Sequence, residues 1–283
     1  MVLDTTIDLR TLGAADRDEA LALVDREPLV DVFVGSRLHG GADVGPSRLG
    51  GELWGYHVEG RLRSMCYSGA NLMPVHATPA AVRGFADLAA RRGRRCSSIV
   101  GHADAVLAMW DLLRTDWGPA REVRSNQPVM AITEPAEVTP DPRVRRVRTD
   151  EADTLLPAAV AMFTEEVGIS PLGKDNGTYY RARLVDMIRL GRAFALIEEG
   201  EVVFKAEIGA VTPYACQVQG VWVRPDRRGE GLGISGMAAV VEQAQRDIAP
   251  AVSLYVNDYN AAARATYRRV GFSEVGRFAT VMF

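Results

Sequence analysis

Across the second half of this 283-residue chain, the spacing of apolar residues switches several times between helical and strand periods. Residues 155–167 and 179–190 repeat apolar positions every three to four residues and predict two helices. The mainly apolar runs 193–198 and 202–211 flank Glu199-Gly200 and predict a hairpin. A further run, 218–223, stops at Arg224-Pro225, passes through a glycine-rich turn and opens into an apolar-periodic segment at 232–244. That reads as strand, tight loop, helix. A strand at 251–256, a turn at 257–260 rich in capping side chains, a helix at 261–269 closed by Gly271, and a strand at 274–282 complete the series. Ahead of it, 144–147 predicts a strand leading to Asp150 as a helix N-cap. The order over 143–283 is β-α-α-β-β-β-α-β-α-β.

The first half follows a similar rhythm. A hairpin turns at Glu59-Gly60 between 53–58 and 62–67, just as Glu199-Gly200 does later. Strands at 71–75, 96–100 and 128–132 and helices at 80–91 and 104–114 follow. Residues 134–142, acidic and holding three prolines, form a connector unsuited to helix or central strand. The expected fold class is α/β of the α+β kind, with a mixed central sheet flanked by helices in each half. The expected domains are 1–138 and 139–283.

The glycine turn carries the chemistry. Gly229, Gly231 and Gly233 lack a Cβ, so the backbone can take unusual dihedrals and let a bulky group approach. The first N–H groups of the following helix have no internal partner, and they suit an anion such as a phosphate. A Walker loop is excluded, because Gly233-Ile234-Ser235 supplies no lysine. Gly231, Gly233 and Gly236 match the dinucleotide pattern formally, but too little chain follows for a Rossmann domain. The stretch Arg228-Gly229-Glu230-Gly231-Leu232-Gly233, placed directly after a Val-x-Val-x-Pro strand end, resembles the pyrophosphate loop of the GNAT superfamily of acyl-CoA N-acyltransferases. A second motif, Asn260, Ala263 and Tyr267 followed by Gly271-Phe272, resembles the ending of the same domains. The arrangement as a whole resembles an actinobacterial group in which an uncharacterised N-terminal domain is fused to a GNAT domain, here a tandem GNAT-like pair.

The resemblance implies direct attack of an amine on acetyl-CoA, used as co-substrate without a metal. Gly229, Gly231, Leu232, Gly233 and Ile234 would offer backbone N–H groups to the pyrophosphate. Arg228 would add charge, with Arg227 as its competitor. Val221 and Val223 would offer backbone groups at a splayed strand, and Ala263 would leave room for the thioester beside Tyr267, the expected general acid. Asn257 and Asn260 cap the turn, and Asn260 would also face the co-substrate. The expected general base is Glu207, because 215–219 holds no carboxylate; Gln217 and Gln219 share a face there but accept no proton. Lys205 and Glu207 alternate away from Phe204, toward solvent or a cleft, and a solvated pair is the competing reading. Glu165, Glu166 and the loop 168–178 are candidates for holding the acceptor. In the first half, 73–79 lacks the glycine turn and Asp111 falls where Tyr267 would be, so that half reads as degenerate.

Composition adds exclusions. The formal net charge is −3, which gives no global basic field for nucleic acid or an anionic membrane. Lys174 and Lys205 are the only lysines, and Cys66, Cys96 and Cys216 are too scattered for a disulfide framework or a metal knuckle. The N-terminus is acidic without an apolar core, unlike a signal peptide, and a reducing cytoplasm is expected. Two alternatives accompany the acetyltransferase reading. One is an acyl-CoA-binding sensor without turnover; the other is a metabolite acetyltransferase of two similar halves in the manner of mycothiol synthase.

Overall fold

A computed structural model describes residues 6–41, 45, 49–173 and 177–283. The N-terminal residues 1–5, and residues 174–176 of the expected acceptor loop, lie outside the described residues. The chain forms two compact units, and neither is continuous in sequence. The first gathers Met1–Met130, Tyr255–Asn260 and Glu274–Phe283; the second gathers Ala131–Leu254 and Ala261–Ser273.

In the first unit, strands β1 (Ile7–Thr11), β2 (Gly51–Val58), β3 (Arg61–Gly69), β4 (Asn71–Val75) and β5 (Ser98–His102) lie side by side. The pairings are antiparallel except for β4 with β5, which is parallel. Strict alternation sends Leu53, Met65 and Tyr67 to one face, under α1 (Arg17–Val24) and α2 (Val32–His39). Trp54, Tyr56 and Cys66 go to the other, under α3 (Pro79–Arg92) and α4 (Ala103–Trp117). β6 (Glu122–Ile132) follows β5 only after an intervening strand from the end of the chain.

In the second unit, β7 (Arg145–Arg146), β8 (Ala193–Glu198) and β9 (Glu201–Val211) are antiparallel neighbours, β9 pairs antiparallel with β10 (Ala215–Val223), and β10 pairs parallel with β11 (Ala251–Tyr255). Helices α5 (Ala152–Val167) and α6 (Thr178–Arg189) cover one face, burying Leu155, Ala159, Leu184 and Ile188 against Ala193, Ala195 and Trp222. On the other face α7 (Leu232–Asp247) crosses β9 so closely that a Cβ at Gly236 would lie 2.9 Å from the Phe204 ring. α8 (Ala261–Val270) follows β11. Each unit is therefore a mixed sheet with helices on both faces, as the sequence predicts.

Three expectations are corrected. The strand at 144–147 shrinks to two residues, Arg145 and Arg146, in the ladder with β8; the side chains of Val144 and Val147 are buried, and the Val147 N–H reaches the Ala193 carbonyl at 2.9 Å. Asp150 is not the N-cap; it lies inside a 3₁₀ turn, Thr149–Glu151, and the Glu151 carboxylate accepts the Arg148 N–H at 2.8 Å. The last strand, β12 (Ser273–Met282), does not close the second unit's sheet. It runs antiparallel to β5 in the first, from Phe278 opposite His102 to Met282 opposite Ser98.

Candidate active site

The turn from β10 into α7 is open. A short 3₁₀ turn, Pro225–Arg227, follows the strand, and the chain then takes φ +86° at Gly229 and +83° at Gly231. An L side chain rarely adopts that conformation, so glycine is required for the dihedral alone; a Cβ at either position would meet nothing within 4 Å. Gly231 stands at the N-cap of α7 without a side-chain cap, and Gly229, Glu230 and Gly231 are exposed. The leading N–H groups and the positive end of a 16-residue helix thus face outward, worth about half an elementary charge. At Gly233 a Cβ would sit 3.6 Å from Val223 and 3.7 Å from Thr266, an ordinary contact, so size alone does not require glycine there.

β10 parts from β11 early. Their ladder ends at Gln217 opposite Ser253, although β10 continues to Val223. Beyond that pair the edge of β10 facing β11, including the backbone of Val221 and Val223, has no ladder partner. Gln217 Nε2 and Ser253 Oγ, both buried where the strands part, make no hydrogen bond among the described residues. On its other edge β10 bulges between Gln219 and Trp222, around Gly220 at φ +61°. A gap between parallel strands, edged by backbone without a ladder partner and opening toward an exposed helix start, suits an extended chain of amides ending in an anion.

Beside the bulge lies a buried charge pair. Lys205 is fully buried; its Nζ stands 2.8 Å from Glu207 Oε1 and donates to the Gly220 carbonyl at 2.8 Å. Glu207 is 8% exposed, so the expectation that this pair faces solvent is overturned. The alternation of β9 was read correctly, but α5 and α6 cover that face. Tyr180 reaches over it from α6, with its hydroxyl donating to the Ala159 carbonyl at 3.0 Å. Burial, then the nearby Glu207 charge, pushes its phenol up to about 12. Tyr267, on α8, is 7% exposed; its hydroxyl makes no hydrogen bond among the described residues, and burial followed by the Glu166 charge raises its pKa. Its phenol therefore holds its proton more firmly than a solvated tyrosine does.

Residues 162–272 match the Acetyltransferase (GNAT) family. This stretch is a GNAT acetyltransferase domain. The match assigns the chain to the acyltransferases, in a family that uses acetyl-CoA. Residues 51–155 match a domain of unknown function, DUF4081. Solved structures share the fold over both halves. An acetyltransferase of the GNAT family from Colwellia psychrerythraea has 15% identity and TM-score 0.58, covering 98% of this chain and 99% of its own. A tandem GNAT protein from the clavulanic acid biosynthesis pathway has 16% identity and TM-score 0.56, covering 98% of each. A GCN5-related N-acetyltransferase from Sphaerobacter thermophilus has 17% identity and TM-score 0.58, covering 97% and 94%.

Within the GNAT domain the expected residues divide into two groups. Val221, Val223, Gly229, Gly231, Leu232, Gly233 and Ile234 line the gap and the turn, and Ala263 and Tyr267 share α8. Arg228 is instead folded back: Nη2 pairs with Glu165 at 2.7 Å and Nε donates to the Val223 carbonyl at 3.0 Å. Arg227 is held by Glu198 and Glu230. Glu165, expected to hold an amine, is committed to Arg228 and to the Trp222 indole N–H at 3.3 Å. Asn257 and Asn260 cluster with the first unit, where Asn257 Oδ1 accepts from Gln127 Nε2 at 2.8 Å. Cys216 is buried and its thiol is pushed up to about 12, which leaves it inert. Sequence reasoning missed the Gly220 bulge, Tyr180 and Ser253. A glycine inside a β-branched run was the available signal for the first.

The first unit lacks the open turn. After β4 the chain reaches Thr78, whose hydroxyl caps α3 by accepting the Ala81 N–H at 3.3 Å, with Pro79 at the first helical position. A capped helix start ending in proline offers no anion site. Asp111 lies on the exposed face of α4 beside Arg114. No helix among the described residues is long and apolar enough to cross a membrane.

Proposed function

We propose that the chain transfers the acetyl group of acetyl-CoA to a primary amine of a small molecule or protein, with the second unit carrying the reaction. One observation carries this reading: β10 separates from β11 beyond Gln217, beside a turn whose two positive-φ glycines leave a helix start open. In this reading the pyrophosphate sits on the N–H groups from Gly229 to Ile234, after Arg228 exchanges Glu165 for phosphate. The pantetheine amides pair with the free edge at Val221 and Val223, which also polarise the thioester carbonyl. The amine attacks that carbonyl carbon, the C–S bond breaks, and Tyr267 gives its proton to the departing thiolate. Glu207 takes the proton lost by the amine, with Gln217 and Gln219 aligning it. Three free cysteines suit a reducing cytoplasm.

A second reading is favoured by one feature, the engagement of Glu207 by Lys205: an acyl-CoA-binding module that turns nothing over. Calorimetric titration of acetyl-CoA tests the site common to both. Gly231→Glu places a carboxylate at the turn, against the pyrophosphate, and should weaken binding by about 2–3 kcal/mol, or roughly 30- to 150-fold. A single site weakened in this way is the expected result; unchanged affinity in Gly231→Glu removes the turn from the site. Thiol release with a panel of amines then separates the readings, because a sensor releases none.

A further inference from the structure

We infer that the first unit holds a zinc site formed by Asp31, His76 and His102, with Glu27 at its open side. His76 follows the last residue of β4, and His102 is the last residue of β5. Asp31 is the N-cap residue of α2, and Glu27 lies in the connection before it. His102 Nε2 lies 3.0 Å from Asp31 Oδ1 and 3.5 Å from Glu27 Oε2, while His76 Nε2 lies 3.1 Å from Asp31 Oδ2. Glu27, Asp31 and His102 therefore gather their ligand atoms at one place, while His76 faces the second oxygen of the Asp31 carboxylate. Glu27, Asp31 and His102 each offer a ligand atom within 4.8 Å of the others.

The second observation is a pair of orphans. Asp31 is 6% exposed, and its Oδ2 and His76 Nε2 stand 3.1 Å apart as an ion pair without aligned hydrogen-bond geometry, and neither has another hydrogen-bond partner among the described residues. Proximity without alignment is unusual for a buried carboxylate beside an imidazole, whose attraction favours a linear N–H···O contact. It is what two ligands of a common ion display. Ligands at about 2.0–2.1 Å from a tetrahedral zinc lie about 3.3 Å from one another, and the three separations here bracket that value. Two imidazoles with two carboxylates select zinc over calcium or magnesium, which take all-oxygen sets.

The backbone is arranged to hold these ligands. His76 adopts φ +46°, uncommon for a residue with a side chain, and its carbonyl accepts the Ser64 hydroxyl at 2.8 Å. The β4–β5 ladder contains only Asn71 opposite Ser98 and Leu72 opposite Ile99 before the strands separate toward the two histidines. The ion would stand at the mouth of the first unit's own strand gap, the place that the second unit leaves open. Glu27, with 47% of its side chain exposed, provides the route in.

The test uses the tag-free full chain, stripped with a chelator, dialysed against zinc chloride and assayed by elemental analysis. The expected result is a single zinc per chain, with Co²⁺ giving the intense visible absorption of a tetrahedral site. His76→Ala and His102→Ala should each abolish both signals. Glu27→Gln, at a half-exposed position that leaves the core intact, should weaken binding about tenfold. Zinc should raise the thermal midpoint of the wild type and leave that of His102→Ala unmoved. Substoichiometric zinc in the wild type, or equal zinc in the wild type and the histidine variants, overturns the assignment.

Discussion

Replacing Lys205 by methionine separates what a buried charge pair does for the fold from what a solvated one would do. The Lys205 side chain is fully buried and touches two oxygens, Glu207 Oε1 and the Gly220 carbonyl, each at 2.8 Å. Methionine fills nearly the same volume, so the cavity term is small. The cost is electrostatic: Glu207, 8% exposed, loses the cation 2.8 Å away, and the Gly220 carbonyl loses the Lys205 donor. Removing one member of such a pair costs about 3–5 kcal/mol. At about 2–4 °C per kcal/mol for a unit of this size, the thermal midpoint should fall by about 6–20 °C. The double variant Lys205→Met/Glu207→Leu leaves no uncompensated charge and should recover to within about 1 kcal/mol of wild type, because apolar replacement of a buried pair is close to neutral. Thermal unfolding of the four proteins of this cycle, followed by circular dichroism, isolates the coupling between the two side chains. A single variant that loses less than about 1 kcal/mol, or a double variant no better than the single, refutes the reasoning and returns the pair to solvent.

Tyr267→Phe removes a hydroxyl with no hydrogen bond among the described residues, so stability should hold or rise slightly while thiol release falls about 100-fold or more; a large fall in stability would assign the hydroxyl a structural role instead. Glu151, held by Arg145 at 2.7 Å and by the Arg148 N–H, titrates at about 2 instead of near 4.5. A lowered folded-state value stabilises above about pH 4.5 and is lost as pH falls toward 2, and screening at the half-exposed Arg145 limits the effect to about 1–2 kcal/mol. Urea midpoints of wild type and Glu151→Gln should therefore differ at pH 7 and converge near pH 2; parallel curves would dismiss the linkage. Gly236→Ala drives a methyl into the Phe204 ring and should cost about 1–3 kcal/mol in the same unfolding assay.

Local order was legible where one period dominated. β4 falls at 71–75 as predicted, and β8 at 193–198, because turn residues bound both runs. The glycine turn was legible too, since its residue types are dictated by backbone dihedrals. Coverage was not. Alternation along β9 puts Lys205 and Glu207 on one face, but nothing local says that α5 and α6 will bury it. The pairing of β12 with β5 was equally hidden, because an apolar run carries no record of which strand it will join. The cluster of Asp31, His76 and His102 draws on a helix cap and two strand ends scattered over 72 positions, and the sequence reading assigned no element to 7–39 at all.

The placement of β12 also sets a timetable. Residues 274–283 are translated after everything else in the first unit, trailing Met130 by roughly 7–30 seconds at the usual 5–20 residues per second. Throughout that interval β5 lacks the neighbour that will face Ser98 to His102, and the Arg121 N–H lacks the Met282 carbonyl it will finally reach at 2.7 Å. On the ribosome, then, the half translated first is the one finished late. An apolar strand edge stays bare while the other half is still being made, open to chaperones or to a neighbouring nascent chain. A stop codon placed in the connector would release a sheet with an unfilled seam.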